Sequence, residues 1–595
     1  MGGLQSSRLG PRQRKDLAGH TAVVLKEFSS HCGRQLCAAL LEQAQKEAGL
    51  RDTPEAPAVL LQHDSAAGGE VMLEGTLLQY LHGKWRKRHL QVTRSFAVES
   101  RDSREVFEEG WKCHRDFTLT GCQICTTIRE HRYLVEDACR HISGPEGKMP
   151  FWDCPTEFPV FIQHQYSAPL CLCVESRETQ RLWAQILQRA VQHHSTVLHR
   201  KDSFASRVFL EAVFSYRQER GAYGPGVLGM GSEEEVLSSL VMEEILPYLR
   251  YQIFPRLILN QGRLTWIKLQ AEVYSQVCAQ VKAELKILMN ELGQQRPLLE
   301  KLVRSDLHQL TALQNCIAHR ITEDMCAEIS QGLSHTVIPL LDRTFQEVAT
   351  PICDGFAAAW QLFLETCDDV TDKGCSGQSL RAILSPLDGL GLGAARASQY
   401  LAMLEFSAGG RAWLQASWGI HGDFFRLFVY QAQSTLQQLM DRAVVMFRSL
   451  PSVQTHFFTD PSQLSSALHR VRDQVLEQLD QDLRNIRALL VLESVLQLSL
   501  PALIHKLGWL KLEYYQPRGH PEYAPFLQPN LIYYQVLRAS LTREIQAVMR
   551  DTLPDDCVPL SAEVCFPSSE PPGGRLRNCS QLCTSPRPQP WPGFQ

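Results

Sequence analysis

Apolar side chains recur at helical spacing through residues 202–550, and this periodicity constrains the fold more than any other feature. In two stretches the mean spacing is about 3.7 residues, which builds straight amphipathic helices and exceeds the ~3.5-residue period of a left-handed coiled coil. We therefore predict an elongated α-helical bundle over residues 200–550. The first stretch comprises Trp266, Leu269, Val273, Val277, Val281, Leu285, Leu288 and Leu292, and the second comprises Leu464, Leu468, Val471, Val475, Leu479, Leu483, Ile486 and Leu490.

Proline and glycine should interrupt the helices of this region. Proline has no backbone N–H and is expected to kink or end a helix at Pro247, Pro255, Pro339 and Pro351. The segments Gly389–Gly393 and Gly409-Gly410 predict turns.

Composition excludes several classes of protein. Hydrophobic residues make up 44% of the chain, charged residues 21%, and the formal net charge is −4, so a buried core is expected and a general affinity for nucleic acid is not. The N-terminus lacks the apolar segment of a secretory signal, so we expect a cytoplasmic protein whose 19 cysteines are thiols. No run of ~18 uncharged apolar residues occurs, so we expect no membrane-spanning helix.

Before the helical region, residues 69–199 are rich in short strand-like stretches and end in a helix. The closing helix has an apolar face that contains Trp183, behind a plausible N-cap at Ser176. The predicted strands are Val71–Leu81, Lys84–Val92, Ser95–Ser100, Tyr133–Val135, Val160–Gln163 and Leu170–Val174.

The second predicted strand is strongly basic. Alternate side chains of a strand share a face, so Lys84, Arg86 and Arg88 should converge on one side, with Lys87 between them on the other. Such a face suits a multiply charged phosphate group. The alternative is that these residues only keep an exposed strand soluble.

The order of short strands, a basic K-W-R-K-R-H-L-Q-V strand and a closing helix with one tryptophan resembles a pleckstrin-homology (PH) domain. The resemblance implies a multidomain α+β chain: a PH-like β-barrel capped by a helix and plugged by Trp183, followed by the helical bundle. It also implies that Lys84, Arg86 and Arg88 contact lipid phosphates, although many PH domains bind proteins instead. The segment 102–156 is longer than a compact PH domain needs.

Six short motifs, in consistent order through residues 1–550, resemble the Niban family. This resemblance implies a cytoplasmic, membrane-associated regulator of signalling, survival and translation without catalytic residues, and the composition is most similar to the B-cell-associated member. The motifs are Met1–Gly3, Phe96–Ser100, Glu157–Val160, Phe209–Val213, Arg217–Gly224 and Leu240–Pro247.

The N-terminus fits the pattern M-G-x-x-x-[ST], which marks Gly2 for myristoylation. Residues 1–16 form a basic arm with Arg8, Arg12, Arg14 and Lys15, which could add attraction to an anionic leaflet. The alternative is an ordinary solvated start. A helical segment and linker are expected over residues 17–68.

Three remaining features are weaker. The insert holds cysteines and histidines that resemble zinc ligands, but their spacing is irregular and free thiols are favoured. Residues 224–229 match G-x-G-x-x-G, yet a helix precedes them and Glu233 to Glu235 follow, so a mobile loop is favoured over a dinucleotide site. The Pro-rich tail over residues 551–595 is expected to be disordered. The zinc candidates are Cys113, His114, Cys122, Cys125, His131, Cys139, His141 and Cys154.

Together these features predict a non-enzymatic cytoplasmic adaptor, without cofactor, metal or nucleic acid. It would associate peripherally with the inner face of the plasma membrane. The lipid-binding residues would be Lys84, Arg86, Lys87 and Arg88, the ligand an anionic lipid such as a phosphoinositide, and Gly2 the acylation site. The helical body would bind signalling proteins. The alternative is a protein-binding scaffold whose PH-like domain does not bind lipid.

Overall fold

The computed structural model describes residues 9–50, 71–81, 83–93, 98–103, 115–117, 119, 121–139, 142, 149–193, 203–222, 231–256, 262–373, 380–390, 397–420, 422–449, 461–508, 515 and 521–552. The strands are β1 (Val71–Leu81), β2 (Lys84–Thr93), β3 (Val98–Arg101), β4 (Arg115–Phe117), β5 (Gln123–Cys125), β6 (Phe158–Gln163) and β7 (Leu170–Val174). The helices are α1 (Pro11–Glu47), α2 (Ile128–Ala138), α3 (Arg177–His193), α4 (Phe204–Glu219), α5 (Glu233–Tyr248), α6 (Arg263–Gly332), α7 (Ile338–Lys373), α8 (Leu380–Ile383), α9 (Ala397–Ala402), α10 (Ala408–Trp418), α11 (Gly422–Ser449), α12 (Pro461–Leu507) and α13 (Pro529–Thr552). Short 3₁₀ or π turns occur at Pro150–Trp152, Leu249–Ile253, Phe254–Arg256, Leu333–Val337, Ser385–Leu390 and Pro521–Tyr523.

The strands form one antiparallel sheet in the spatial order β4-β3-β2-β1-β7-β6-β5. Its inner face is closed by α3, whose Trp183 is 2% exposed and packs over β1. A Cβ atom at Gly75 would lie 3.4 Å from the Trp183 ring, so a glycine on β1 leaves room for the indole. The PH-like barrel, its closing helix and the plugging tryptophan are therefore confirmed.

The predicted strand at Tyr133–Val135 is wrong, because this segment lies in α2. The Thr127 side chain caps the helix by accepting a hydrogen bond from the Glu130 backbone N–H at 3.2 Å. His131 and Val135, one helical turn apart, are the buried residues of α2. The strand propensity of Tyr133 and Val135 is outweighed by this cap and by the one-turn spacing of the buried side chains.

The helical region has two cores that meet along α6. In the first, the N-terminal part of α6 packs with α1, α4 and α5 and with the outer face of β6 and β7. In the second, the C-terminal part of α6 packs with α7, α11, α12 and α13. Leu288 belongs to the first core and Val303 to the second. The sheet is thus covered on both faces, by α3 inside and by the helical region outside.

Both periodic stretches lie inside long helices, and their central residues are buried as predicted. Two of these predictions are wrong, namely a helix end at Pro351 and a turn at Gly409-Gly410. Helix α7 continues through Pro351 to Lys373. Gly409 and Gly410 lie in the first turn of α10, where the Ser407 hydroxyl accepts a hydrogen bond from the Gly410 N–H at 2.9 Å.

Helix α12 bears on the sequence prediction that no helix spans a membrane. The span Leu464–Leu507 contains an 18-residue window with a mean hydropathy of 1.6, long and apolar enough to cross a bilayer by length and composition alone. That window is 56% buried, and Val491, Val495 and Leu503 are fully covered in the second core. These contacts are those of a core helix in a folded domain.

Candidate functional site

The candidate basic site lies on the hairpin of β1 and β2. The turn contains Gly83 with φ of 86°, a left-handed conformation that glycine adopts without strain. Across the hairpin, Lys84 pairs with Leu81, Arg86 with Gln79, and Arg88 with Leu77. Directly paired residues share a face, so these three basic residues lie on one side of β2, as the alternation predicts.

The basic residues nearest the turn are available to a ligand. Lys84, Arg86 and Lys87 are exposed, and none of them forms an ion pair or a side-chain hydrogen bond with any residue that the structure describes. Lys84 and Arg86 lie on the inner face of β2, and Lys87 points to the opposite face. Three unneutralised cations within four residues make the tip of this hairpin a local positive surface.

Arg88 has a different environment, because it is only 8% exposed. Its Nε donates to the Ser100 Oγ at 3.3 Å, one terminal nitrogen donates to the Ser100 carbonyl at 3.2 Å, and the other pairs with the Asp102 carboxylate. The Ser100 hydroxyl donates in turn to Gln79 Oε1 at 2.9 Å. Arg88 therefore joins β2 to β3 and to the chain after it, and its charge is compensated within the protein.

Trp85 fixes the outer side of the hairpin. Its indole N–H donates to the Asp153 carbonyl at 2.8 Å, and its ring meets Tyr80 edge-on with 5.4 Å between centroids. Tyr80 in turn contacts Phe151 at 6.2 Å. These contacts hold the hairpin against the insert, so the basic tip has a defined orientation relative to the rest of the sheet.

The N-terminal basic cluster is only partly described. Gly2 and Arg8 lie outside the described residues, while Arg12, Arg14 and Lys15 lie at the start of α1. Arg14 pairs with Glu272 at 3.6 Å, and its carbonyl accepts a hydrogen bond from the Gln276 side chain at 3.0 Å. Helix α6 thus holds the start of α1.

Within the described part of the chain, no three His, Cys, Asp or Glu side chains are grouped to hold a metal ion. The zinc candidates Cys113, His114 and His141 lie outside that part, as does the G-x-G-x-x-G segment. The Pro-rich tail over residues 553–595 also lies outside it.

His131 has a structural environment that the sequence did not indicate. Its Nδ1 accepts a hydrogen bond from the Trp152 indole at 3.1 Å, so its Nε2 carries the proton and faces Gln163 Oε1 at 3.1 Å. The ring stacks on Phe161 with centroids 4.2 Å apart. Burial lowers the pKa of His131 to about 4, partly offset by the hydrogen bond to Gln163, so the imidazole is neutral at physiological pH.

Comparison with known proteins gives a consistent assignment. Residues 63–196 match the family model described as Protein Niban 2-like, PH domain, and residues 331–501 match Protein Niban 2-like domain. The chain is 27% identical to mouse Protein Niban 1 over 568 residues, covering 93% of this chain and 60% of that protein. The chain belongs to the Niban family. It therefore spans about 60% of the length of the Niban 1 relatives that it matches.

The other relatives agree with this assignment. The Niban-family chain is 24% identical to human Protein Niban 2 over 565 residues, covering 93% of this chain and 74% of that protein. Its fold is similar to the crystal structure of human FAM129B/MINERVA/NIBAN2, with a TM-score of 0.82, 22% identity and coverage of 92% of this chain and 99% of that one. The family resemblance drawn from the short motifs and the order of a PH-like domain followed by a helical region are both confirmed.

Proposed function

We propose that this Niban-family chain is a non-catalytic adaptor that associates with anionic membranes through the tip of the β1–β2 hairpin. The observation that carries the proposal is the contrast within one strand. Lys84, Arg86 and Lys87 are exposed and have no partner in the described structure, whereas Arg88 is buried and neutralised by Asp102. The ligand-binding set is therefore the first three residues, and Arg88 supports the strand that carries them.

The chemistry of these side chains fits a lipid phosphate. Arg86 can donate two parallel hydrogen bonds to one phosphate, and Lys84 on the same face acts as a compact point charge beside it. Lys87 on the opposite face adds to the general attraction toward an anionic surface. Each basic residue near an anionic leaflet contributes about 1 kcal/mol. Three such residues give reversible binding that weakens as salt screens the charges.

A second membrane contact would make this weak attachment effective. The sequence at Gly2 fits an acylation signal, but a single myristoyl chain binds a bilayer only with K of ~10⁴ M⁻¹. Tethering two weak contacts multiplies affinity by ~10²–10⁴ where their geometry permits simultaneous binding. The chain would then be cytoplasmic with a fraction at the inner face of the plasma membrane, and its helical region would bind signalling proteins.

Co-sedimentation of the full chain with vesicles tests the lipid role. We expect little binding to phosphatidylcholine vesicles, stronger binding when phosphatidylserine or a phosphatidylinositol bisphosphate is included, and loss of that gain at high salt. Equal binding to neutral and anionic vesicles would contradict the proposal and favour a scaffold whose PH-like domain binds protein. The acyl role is tested separately by Gly2→Ala in cells, where an unchanged membrane fraction would exclude it.

A further inference from the structure

A cleft opens between α4, α12 and α13, on the side of the helical region where α12 carries Pro501. It encloses about 80 Å³ and is open to solvent on one side. An engineered cavity of about 150 Å³ admits benzene, so a volume near half of that suits a planar group of about four heavy atoms. The cleft is separate from the basic hairpin. A ligand of the cleft can therefore be tested without vesicles, independently of the proposed lipid binding.

The walls of the cleft combine apolar and polar side chains. Leu496, Leu500 and Ile504 of α12 line one side and belong to the second core. Phe214 of α4 lines the other and is 37% exposed. An exposed aromatic face in a concave site can stack against a flat cation.

The charges of the cleft are unbalanced. Arg538 of α13 is already paired with Glu493 of α12 at 2.7 Å. Glu211 of α4 lines the same cleft, yet its carboxylate makes no hydrogen bond or ion pair with any residue in the described part of the chain. The Glu211 side chain is exposed, so a partner side chain can reach it. Its pKa is raised, first by desolvation and then by the charges of Glu493 and Glu42, while Arg538 and Arg207 oppose the shift. A cation placed beside Glu211 would favour its charged form.

The backbone of α12 supplies a further acceptor. Pro501 lies inside α12 and has no N–H, so the Gln497 carbonyl one turn earlier lacks its usual helical donor. Both residues line the cleft. The cleft therefore combines a helix carbonyl without its usual i+4 donor and a carboxylate without a hydrogen-bond partner among the described residues, and both can accept hydrogen bonds.

We propose that this cleft binds the guanidinium group of an arginine side chain from a partner protein. A guanidinium is a four-atom plane with five N–H donors, which can serve the Glu211 carboxylate and the Gln497 carbonyl together. Its flat face can stack on Phe214, and the aliphatic stem of the arginine would cover Leu496 and Leu500. A lysine ammonium is a point charge and would use the planar, partly aromatic site less completely.

The test is calorimetric titration of the full chain with two peptides, acetyl-Leu-Arg-Leu-amide and acetyl-Leu-citrulline-Leu-amide. Citrulline has nearly the same shape as arginine but no charge. We expect the arginine peptide to bind about tenfold more tightly or better. Glu211→Gln should abolish that preference, and Pro501→Ala should reduce it by returning an N–H to Gln497. Glu291→Gln, an exposed acid on α6, is the matched control and should retain it.

Three results would overturn the proposal: equal binding of the two peptides, no saturable binding of either, or an undiminished preference in Glu211→Gln. Thermal melts of all three variants check that they are folded. A variant that melts like wild type and still prefers arginine counts directly against Glu211 as the acceptor.

Discussion

The guanidinium of Arg88 connects β2 to β3, so we expect its removal to lower the stability of the folded chain. In Arg88→Gln, the hydroxyl and carbonyl oxygens of Ser100 lose the arginine donors that hold them, and the Ser100 hydroxyl that donates to Gln79 is no longer fixed in place. We expect the free energy of unfolding to fall by about 1–3 kcal/mol, measured by urea denaturation. The exposed side chain of Asp102, at 73%, keeps the cost below that of a fully buried ion pair.

The matched control for Arg88 is its exposed neighbour. Arg86→Gln should change the free energy of unfolding by no more than ~0.5 kcal/mol, because an exposed residue without a partner contributes little to folding. Equal losses in Arg86→Gln and Arg88→Gln would contradict the different roles assigned to these two arginines.

His131 makes stability depend on pH. The pKa of His131 is about 4 in the folded chain against 6.5 for an ordinary histidine, because burial disfavours the charged ring. Protonation therefore favours the unfolded state, so the contribution is complete above pH 6.5 and is lost as the pH falls toward 4. We expect about 2 kcal/mol of this loss between pH 7.5 and pH 5, measured by urea unfolding at both values.

The variant His131→Gln isolates this effect. Burial also lowers the pKa of His164 to about 4, but that residue is present in both proteins and cancels in the comparison. The stability of His131→Gln should fall less between the two pH values than that of wild type. An identical pH dependence would mean that His131 does not titrate as its burial implies.

At the scale of elements, helix packing depends on a glycine of α7. A Cβ atom on Gly355 would lie 2.6 Å and 2.7 Å from the Cδ2 and Cγ atoms of Leu404, which is fully buried. Gly355→Ala should therefore destabilise the helical region by about 1–2 kcal/mol, since the overpacking outweighs the ~1 kcal/mol gain in helix propensity. Thermal denaturation followed by circular dichroism measures the change.

We expect the opposite result for Gly409→Ala in α10. Nothing lies within 4 Å of a Cβ atom at Gly409 in α10. The substitution should be neutral or stabilising by up to ~1 kcal/mol. If both alanines destabilise equally, the difference in packing does not control these positions.

The sequence predicted elements well where a long period determined them. The apolar spacing located the cores of α6 and α12, and the two-residue alternation placed Lys84, Arg86 and Arg88 on one face of β2. It failed at α2, where a Thr127 cap and two buried residues decide the structure of a short segment. It also could not show that Arg88 is neutralised by Asp102, because that pairing depends on how β2 and β3 meet.

At the scale of the whole molecule, the PH-like domain shares a core with the helical region. Phe151, Phe161 and Cys171 on the outer side of the sheet pack with α1, α4 and α6, and the Trp266 indole donates to the Ala138 carbonyl at 3.3 Å. The sequence predicts separate domains over 69–199 and 200–550, and it carries no signal for a core that crosses between them.

This shared core predicts how an isolated PH-like domain behaves. A fragment of residues 63–196 would expose the outer face of β6 and β7, so we expect it to bind the dye ANS and to melt at a lower temperature than the full chain. A fragment that melts with the full chain and binds no dye would show that the helical region adds nothing to the sheet.

The central claim is that three residues at the hairpin tip attach the whole molecule to an anionic surface. The most direct measurement is the affinity of the full chain for phosphatidylserine-containing vesicles, with Lys84, Arg86 and Lys87 changed together to Gln. The control carries the same loss of charge on α6, at the exposed residues Lys268, Lys286 and Lys301. We predict a loss of affinity of about 100-fold for the hairpin variant and little change for the control. Equal affinities of the two variants would contradict the account.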